Sequence, residues 1–352
     1  MESYLRGILV QEIKPGSFAM KYLLNRYCCI IFITALYYGT KSVDAQNILF
    51  HKTTYDSAYI IKEASVYSIR AYSVSKYNHF NLRDNSENKV AFVPDYKIAI
   101  GLGFSYKNLA LDLGIPVFHT TKDTIHTKNL DFIGAFYPNQ NLFDIIAQSY
   151  KGLFLNPDGS KGTNSFPRQF RKDIKTLNLG IDYSYLFNYK RYSFIAPYIG
   201  TEIQRKSAGS LLAGGFVSYY HLTADSSIIP VGISGDLNES LQINKASLFS
   251  FGLTAGYAYT LVLPKRFFIT LSATPGISFN TGEVTTVNNS KSNKPFTASF
   301  KLVSHDAIGY GGKKFYGLAT VFIDNNYVSI ANKNRLDYFP GKVKFILGYR
   351  FN

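Results

Sequence analysis

The 352-residue sequence has no tryptophan, two methionines and two cysteines. The cysteines, Cys28 and Cys29, are adjacent and lie in an N-terminal apolar stretch. Beyond that stretch the chain has no means of forming a disulfide, a thiolate nucleophile or a cysteine-bound metal site. Charged residues are also scarce, at 17% of the chain against roughly 25% in soluble domains. No run of 18 apolar residues follows residue 45, which excludes a membrane-spanning helix there. Basic residues run no longer than pairs such as Lys313-Lys314, so a basic nucleic-acid-binding arm is excluded as well.

Hydrophobic residues make up 46% of the chain and aromatics 16%, carried by 28 Tyr and 28 Phe, with 27 Gly. These residues favour strands and strand bends over helices. The formal charge is +15. It reads as Lys and Arg scattered over loops and strand ends, with attraction to an anionic surface such as lipid phosphates or nucleic acid as the sharper alternative.

From Met20 the chain reads "MKYLLNRYCCIIFITALYYGTKSVDAQN". Lys21 and Arg26 supply a positive start, and 27–38 is an apolar core too short to span as a helix. Val43-Asp44-Ala45 supplies a small-residue cleavage pattern. A signal peptide cut between Ala45 and Gln46 is expected, with residues 1–19 as an upstream extension. Its removal takes away five Lys/Arg and three Asp/Glu and leaves a charge of +13. The expected organisation is 1–45 extension and signal peptide, 46–64 a short periplasmic segment, and 65–352 one barrel domain.

Past that point the dominant signal has a period of two. In "TLNLGIDYSYLF" (176–187), Leu177, Leu179, Ile181, Tyr183, Tyr185 and Phe187 share one strand face, opposed by Thr176, Asn178, Gly180, Asp182 and Ser184. In "LFSFGLTAGYAYTL" (248–261), Phe249, Phe251, Leu253, Ala255, Tyr257, Tyr259 and Leu261 oppose Ser250, Gly252, Thr254, Gly256, Ala258 and Thr260. The pattern recurs at 98–106, 109–117 and 267–279. These runs exceed the usual strand of about 5–6 residues and match the roughly 9–11 needed by a tilted membrane strand. Tight turns are expected at 106–108, 138–140, 188–190, 264–266 and 310–313, and long polar loops at 154–172, 224–245, 281–295 and 326–341. Short turns on one side and long loops on the other describe an outer-membrane barrel.

Backbone groups in hydrocarbon find no water, so strands cross a membrane only in a closed sheet. The expected fold is therefore all-β, an antiparallel transmembrane β-barrel preceded by a cleavable signal peptide. The runs number thirteen, and bacterial barrels take an even number. The parity error falls in 191–245. If 191–223 contributes one strand the count is 12, and if 224–245 hides another it is 14; 12 is favoured. A soluble β-sandwich is the competing reading. In a barrel, Val343, Phe345, Leu347, Tyr349 and Phe351 of the closing "KFILGYRFN" face lipid. Phe345, Leu347, Tyr349 and Phe351 then read as the terminal-strand signal of outer-membrane assembly, although Asn352 follows the aromatic that commonly ends it.

Several strings point further: "SIRAYSVSKYNHFNL" (68–82), "VPDYKIAIGLGFSYKNLALDLGI" (93–115), "TKNLDFIGAFYPNQNLFDIIAQSYKGLFL" (127–155), "QRKSAGSLLAGG" (204–215) and "GYAYTLVLPKRFFITLSATPGI" (256–277). Together they resemble an outer-membrane β-barrel family of Bacteroidota known only as a domain of unknown function. Tyr150-Lys151-Gly152 and Ser207-Ala208-Gly209-Ser210 anchor the resemblance, which covers most of 65–352. It implies a fold and a location and supplies no activity.

Chemistry-bearing motifs are sparse. His119 and His126 flank Asp123 in "HTTKDTIH", but an odd separation puts two strand residues on opposite faces, so no zinc site is expected. His221, three residues after Ser218, is the one weak candidate for a Ser-His pair, and a rim histidine is the favoured reading. "VGISGD" (231–236) is no nucleophile elbow, and "GYGGKK" (309–314) is no phosphate loop. Charges on expected inward faces are more informative: Asp112, Asp182, Lys344 and Arg350. They form either a lumenal salt-bridge network, which is favoured, or the lining of a polar passage. The functional expectation is an integral outer-membrane barrel of a Gram-negative bacterium, of unknown specific role, with a channel for small solutes or lipids as the first candidate. The alternatives are a closed structural or surface-interaction barrel, or a barrel enzyme acting on envelope lipids. The expected partners are outer-membrane lipid and the outer-membrane assembly machinery, with no nucleic acid, metal or cofactor.

Overall fold

The strand-forming composition is expressed almost throughout. The computed structural model describes residues 54–62, 67–95, 97–106, 109–119, 125–163, 166–234, 237, 239–287, 291–330 and 333–351. The cleavage site Ala45–Gln46, both cysteines, Asp123 and Asn352 lie outside the described residues. The strands are β1 (Ile60–Lys62), β2 (Tyr67–Arg83), β3 (Lys89–Val93), β4 (Lys97–Tyr106), β5 (Leu109–His119), β6 (Lys128–Phe136), β7 (Asn141–Lys161) and β8 (Gln169–Leu186). They continue as β9 (Glu202–Gln204), β10 (Ala208–Thr223), β11 (Ile243–Val262), β12 (Phe267–Thr286), β13 (Lys291–Gly311), β14 (Phe315–Ser329) and β15 (Arg335–Phe351). Among the described residues no helix is long and apolar enough to cross a membrane, a statement that leaves strands untouched.

Ten strands close an antiparallel ring in the order β2-β3-β7-β8-β10-β11-β12-β13-β14-β15, and β15 returns to β2. The closure is complete in register, from Arg335↔Arg83 to Phe351↔Tyr67. Among the described residues three further strands of the same sheet lie outside the ring, and β1 and β9 pair with each other as a separate two-stranded sheet. β4 pairs with the first half of β2, β5 with β4, and β6 with β7. The ring thus differs from the twelve strands expected. The expected run at 98–106 extends back to Lys89, but the stretch 89–106 is broken at Pro94, which has no N–H to give a ladder. Its first part, β3, bridges β2 to β7, and its second, β4, leaves the ring with β5. Among the described residues no pairing joins β5 to β6. Two carbonyls of β6 are satisfied by lysines from the wall instead: Lys76 Nζ donates to Asp131 O at 2.8 Å and Lys342 Nζ to Ile133 O at 3.3 Å.

The two faces separate as the period-two reading requires. Leu253 is 73% exposed and Leu271 62%, whereas Ser250 and Thr260 are buried. On β15 the outward side chains run Phe351, Tyr349, Leu347, Phe345, Val343, Gly341, Phe339, and then Asp337 and Arg335. Phe351 to Phe339 covers about 40 Å of strand, or about 30 Å of height at a tilt near 40°. That is the thickness of a hydrocarbon core. Aromatic contacts mark both margins: Phe315–Tyr349 and Tyr349–Phe351 at one, His79–Phe339 and Tyr327–Phe339 at the other. Just beyond the second margin Arg83 and Arg335 flank the buried Asp337 at 3.6 and 3.4 Å.

Strands continue past that margin into stretches expected to be loops, such as β7 to Lys161 and β15 from Arg335. Both strand faces change there, which hides the alternation. The outside turns polar while the inside turns apolar: Phe80, Leu82, Phe92, Leu153, Tyr220 and Leu336 pack with Ile228, Ile229, Ile233 and Leu241 of the β10–β11 connection. A wall that meets water needs an apolar interior, and a wall that meets hydrocarbon does not.

A plugged lumen as the candidate functional site

A turn forms where one was expected at 188–190, with Arg191 N and Tyr192 N donating to Asn188 O at 3.1 and 2.9 Å, but no wall strand follows it, and the 187–207 segment between β8 and β10 goes inward instead. It folds into the ring at the end where β2 begins and β15 finishes. Tyr192, Phe194, Ile195 and Ile199 are apolar enough to be buried there against Tyr137, Leu142, Leu186, Leu212 and Ala258. Gly200 adopts φ +81°, and a Cβ on it would stand 2.5 Å from the Tyr316 ring, so only glycine fits. Three groups of the wall grip the plug backbone and its tyrosine. Arg350 Nε donates to Gly200 O at 2.5 Å, Arg70 Nη1 donates to Ile199 O at 3.2 Å, and Tyr198 Oη donates to His305 O at 2.7 Å. The plug is tied at its exit as well, where β9 pairs with β1 and Lys62 lies 2.9 Å from Glu202.

Further along the lumen the inward faces carry three charge clusters. In the first, Arg70 holds Asp112 through Nε at 2.8 Å and Nη2 at 2.7 Å, and Lys344 donates to the other oxygen of Asp112. The Asp112 carboxylate reaches Arg70 over Gly103, where an added Cβ would stand 2.1 Å from it. In the second, Lys301 crosses the lumen from β13. It lies 3.2 Å from Asp182 Oδ1 and donates to Asp324 and to Asn326 Oδ1 at 3.2 Å, with its ammonium over the Phe216 ring at 4.6 Å. In the third, Tyr137 Oη donates to Asp144 Oδ1 at 2.7 Å while His305 Nε2 stands 3.2 Å from Asp144 Oδ2.

His305 sits at a break in the wall. The β12–β13 ladder is interrupted between Thr270↔Ala307 and Thr274↔Val303, and side chains bridge it. Ser272 N donates to Asp306 Oδ1 at 3.1 Å, and His305 N donates to Ser272 Oγ at 2.8 Å. Beside this break, Asp144, Asp182, His305, Thr254, Thr274 and Phe194 line a pocket of about 20 Å³, room for about one water.

Of the inward charges expected from the sequence, Asp112 and Lys344 meet directly, Asp182 joins Lys301, and Arg350 grips the carbonyls of Gly200 and Gly312. Arg70, Asp144, Lys301, His305 and Asp324 were not singled out in the sequence. Arg70 was open to the same parity argument, since it shares a strand face with Ser68, Tyr72 and Val74. Ser218 and His221 fall on opposite faces, Ser218 inside beside Tyr338 Oη (3.2 Å) and His221 outside beside Ser247 Oγ (2.8 Å), so they form no catalytic pair. His126 Nδ1 contacts Asp95 Oδ2 at 2.6 Å, and the side chain of His119 lies outside the described residues. Among the described residues no three His, Cys, Asp or Glu side chains gather as a metal site.

Residues 54–351 match the profile of the DUF4421 family, described as a domain of unknown function. No curated protein is significantly similar to the chain. Among solved structures the chain is similar to the outer membrane protease OmpT of Escherichia coli, with 9% identity over 82% of this chain and 97% of that one and a TM-score of 0.35. It is similar to the outer membrane protein OprG of Pseudomonas aeruginosa, with 10% identity over 83% and 98% and a TM-score of 0.23. It is also similar to the monoaromatic hydrocarbon channel CymD, with 9% identity over 88% and 94% and a TM-score of 0.26.

Proposed function

The chain belongs to the DUF4421 family, whose description assigns no role, and from its interior we propose a closed outer-membrane barrel that acts through the surface it displays rather than through an open pore. The apolar outer band, its aromatic margins and the signal-like residues 1–45 support location in the outer membrane of a Gram-negative bacterium, with residues 46–64 on the periplasmic side. The terminal-strand residues Phe345, Leu347, Tyr349 and Phe351 support recognition by the outer-membrane assembly machinery.

One observation carries the reading. The 187–207 plug is held by Arg350, Arg70 and His305, groups from three different wall strands. At the opposite end the apolar packing of Ile228, Ile229, Ile233 and Leu241 fills the mouth. A channel for small solutes or lipids, the first candidate role from sequence, needs an open path, and these two fillings oppose one. The inward charges Asp112, Asp182, Lys344 and Arg350 then serve as struts that hold a filled lumen. The test is conductance across a planar bilayer. The intact protein gives no discrete steps, deletion of 191–201 alone still gives none because the opposite mouth stays filled, and deletion of 191–201 combined with truncation of the 228–241 connection produces them. Stable single-channel conductance from the intact protein would overturn the reading.

A further inference from the structure

The pairing register lines up four lysines on one rung. Lys128 on β6 stands opposite Lys151 on β7, and Lys151 opposite Lys175 on β8. Lys175 pairs with Thr223 on β10, and Thr223 with Lys245 on β11. All four lysines are exposed on the outer face. With neighbouring strands about 4.8 Å apart, the row is about 19 Å wide.

Like charges set directly opposite one another are destabilising in a sheet. Yet none of the four forms an ion pair or a hydrogen bond among the described residues. The carboxylates facing the row are few. Asp173, two residues before Lys175, is held by Arg171 through two hydrogen bonds of 2.9 and 2.8 Å. Glu283 on β12 lies one rung lower, opposite Ser247. Asp225, exposed two residues past Thr223, donates its N–H to Asp173 at 3.3 Å, and Asp95 is engaged by His126 at 2.6 Å. The four ammoniums, three on neighbouring strands and the fourth beyond Thr223, therefore have no carboxylate bonded to them among the described residues.

The height of the row says where a neutralising charge comes from. Directly below it the outer face becomes apolar, with Leu130 and Phe132 on β6, Leu179 and Ile181 on β8, Val217 on β10 and Phe249 on β11 all exposed. A row of ammoniums above a sheet of exposed hydrocarbon has the layout of a lipid turned inside out: anion at the top, acyl chains beneath. It lies at the margin away from β2's start and β15's end, the side of the long connections, which in outer-membrane barrels is the extracellular side.

We propose that Lys128, Lys151, Lys175 and Lys245 form a binding row for the phosphorylated headgroup of a lipid in the outer leaflet, whose acyl chains lie on the apolar face below. Each ammonium supplies donors and charge for phosphate oxygens. Occupation turns a repulsive rung into a neutral one, so the barrel is more stable with the lipid than without it.

The test compares the purified protein in nanodiscs of phosphatidylcholine alone, of phosphatidylcholine with phosphatidylglycerol, and of phosphatidylcholine with bisphosphorylated lipid A. Unfolding is followed by heat-modifiable gel mobility. Both phosphate-exposing lipids raise the midpoint of the wild type. The K128Q/K151Q/K175Q/K245Q variant loses that gain, and in phosphatidylcholine alone it is at least as stable as the wild type, because its rung no longer repels itself. Apparent affinity falls about fivefold per lysine removed. The double variants K128Q/K151Q and K175Q/K245Q give intermediate losses and stand in should the quadruple variant fail to fold. K313Q/K314Q, at a turn of the opposite end, leaves the gain intact. Equal stabilisation of wild type and quadruple variant, or an equal gain from inorganic phosphate without lipid, overturns the proposal. Neither result depends on conductance, so the closed-barrel reading stands or falls separately.

Discussion

Lys301 is the most demanding single position in the lumen, and replacing it with Met tests the idea that the lumen is built from compensated charges. The Lys301 side chain is 1% exposed and Asp324 is 4% exposed. At 3.2 Å from Asp182 and an effective dielectric near 20, one such pair attracts by about 5 kcal/mol before the cost of desolvation. Removing one partner of a buried pair costs roughly 3–5 kcal/mol, because it strands the other charge. Here two carboxylates are stranded at once, so Lys301→Met belongs at the upper end of that range. The decisive companion is the triple variant K301M/D182N/D324N, which removes the stranded charge and keeps the volume. It is expected to recover to within about 1–2 kcal/mol of the wild type, as replaced buried ion networks do. The sequence has no tryptophan, so the assay is urea unfolding from vesicles read by heat-modifiable mobility and far-ultraviolet circular dichroism. A single variant that costs under about 1 kcal/mol, or a triple variant no better than the single, would refute the reasoning.

Gly103→Ala places a methyl where the Asp112 carboxylate now lies, which separates Asp112 from Arg70; a loss of about 1–3 kcal/mol in the same unfolding assay is expected, and an unchanged midpoint would count against the contact. Arg171 hydrogen-bonds Asp173 and donates to Ile228 O at 2.8 Å, and its hydrogen bonds hold the Asp173 carboxyl below its ordinary pKa. Asp173 lies beyond the apolar band, so its contribution is full above the unfolded carboxylate range near 4 and is lost as pH falls through the lowered folded value. Proteolysis of the 224–242 connection therefore accelerates on strong acidification, and R171A removes that dependence. Phe351→Ser with Leu347→Ser exchanges exposed apolar side chains of the terminal strand for polar ones; folded protein in the outer membrane falls severalfold while refolding in detergent changes less, and equal losses in both would point to stability instead of assembly.

How far the sequence reaches is visible in particular residues. The inward sides of Asp112, Asp182, Lys344 and Arg350 follow from a period of two, because a single strand carries that information by itself. The lysine row does not, since Lys128, Lys151, Lys175 and Lys245 are far apart in sequence. Only the register across five strands brings them together, and a slip of one residue in any pair would scatter them to the other face. The plug was hidden for a different reason. Tyr192, Phe194 and Tyr198 fall on a period of two as in a wall strand, and nothing local distinguishes burial inside a ring from membership in it. Ring size was obscured at Pro94, where one continuous run serves two different neighbours. The strand extensions read as loops in the sequence because alternation between polar and apolar faces is clear only while the outside stays oily.

The two arginines that hold the plug have a consequence for the order in which the molecule is built. Arg70 belongs to the ring's first strand and Arg350 to its last, and the backbone they grasp comes from the middle of the chain. Sealing the first strand to the last therefore brings together both arginines that latch the interior. A barrel that zipped shut before residues 191–200 had entered would leave Arg70 with Asp112 and Ser105 and Arg350 with Gly312, short of the plug carbonyls that complete their bonding, so the final seam favours chains whose interior is already in place.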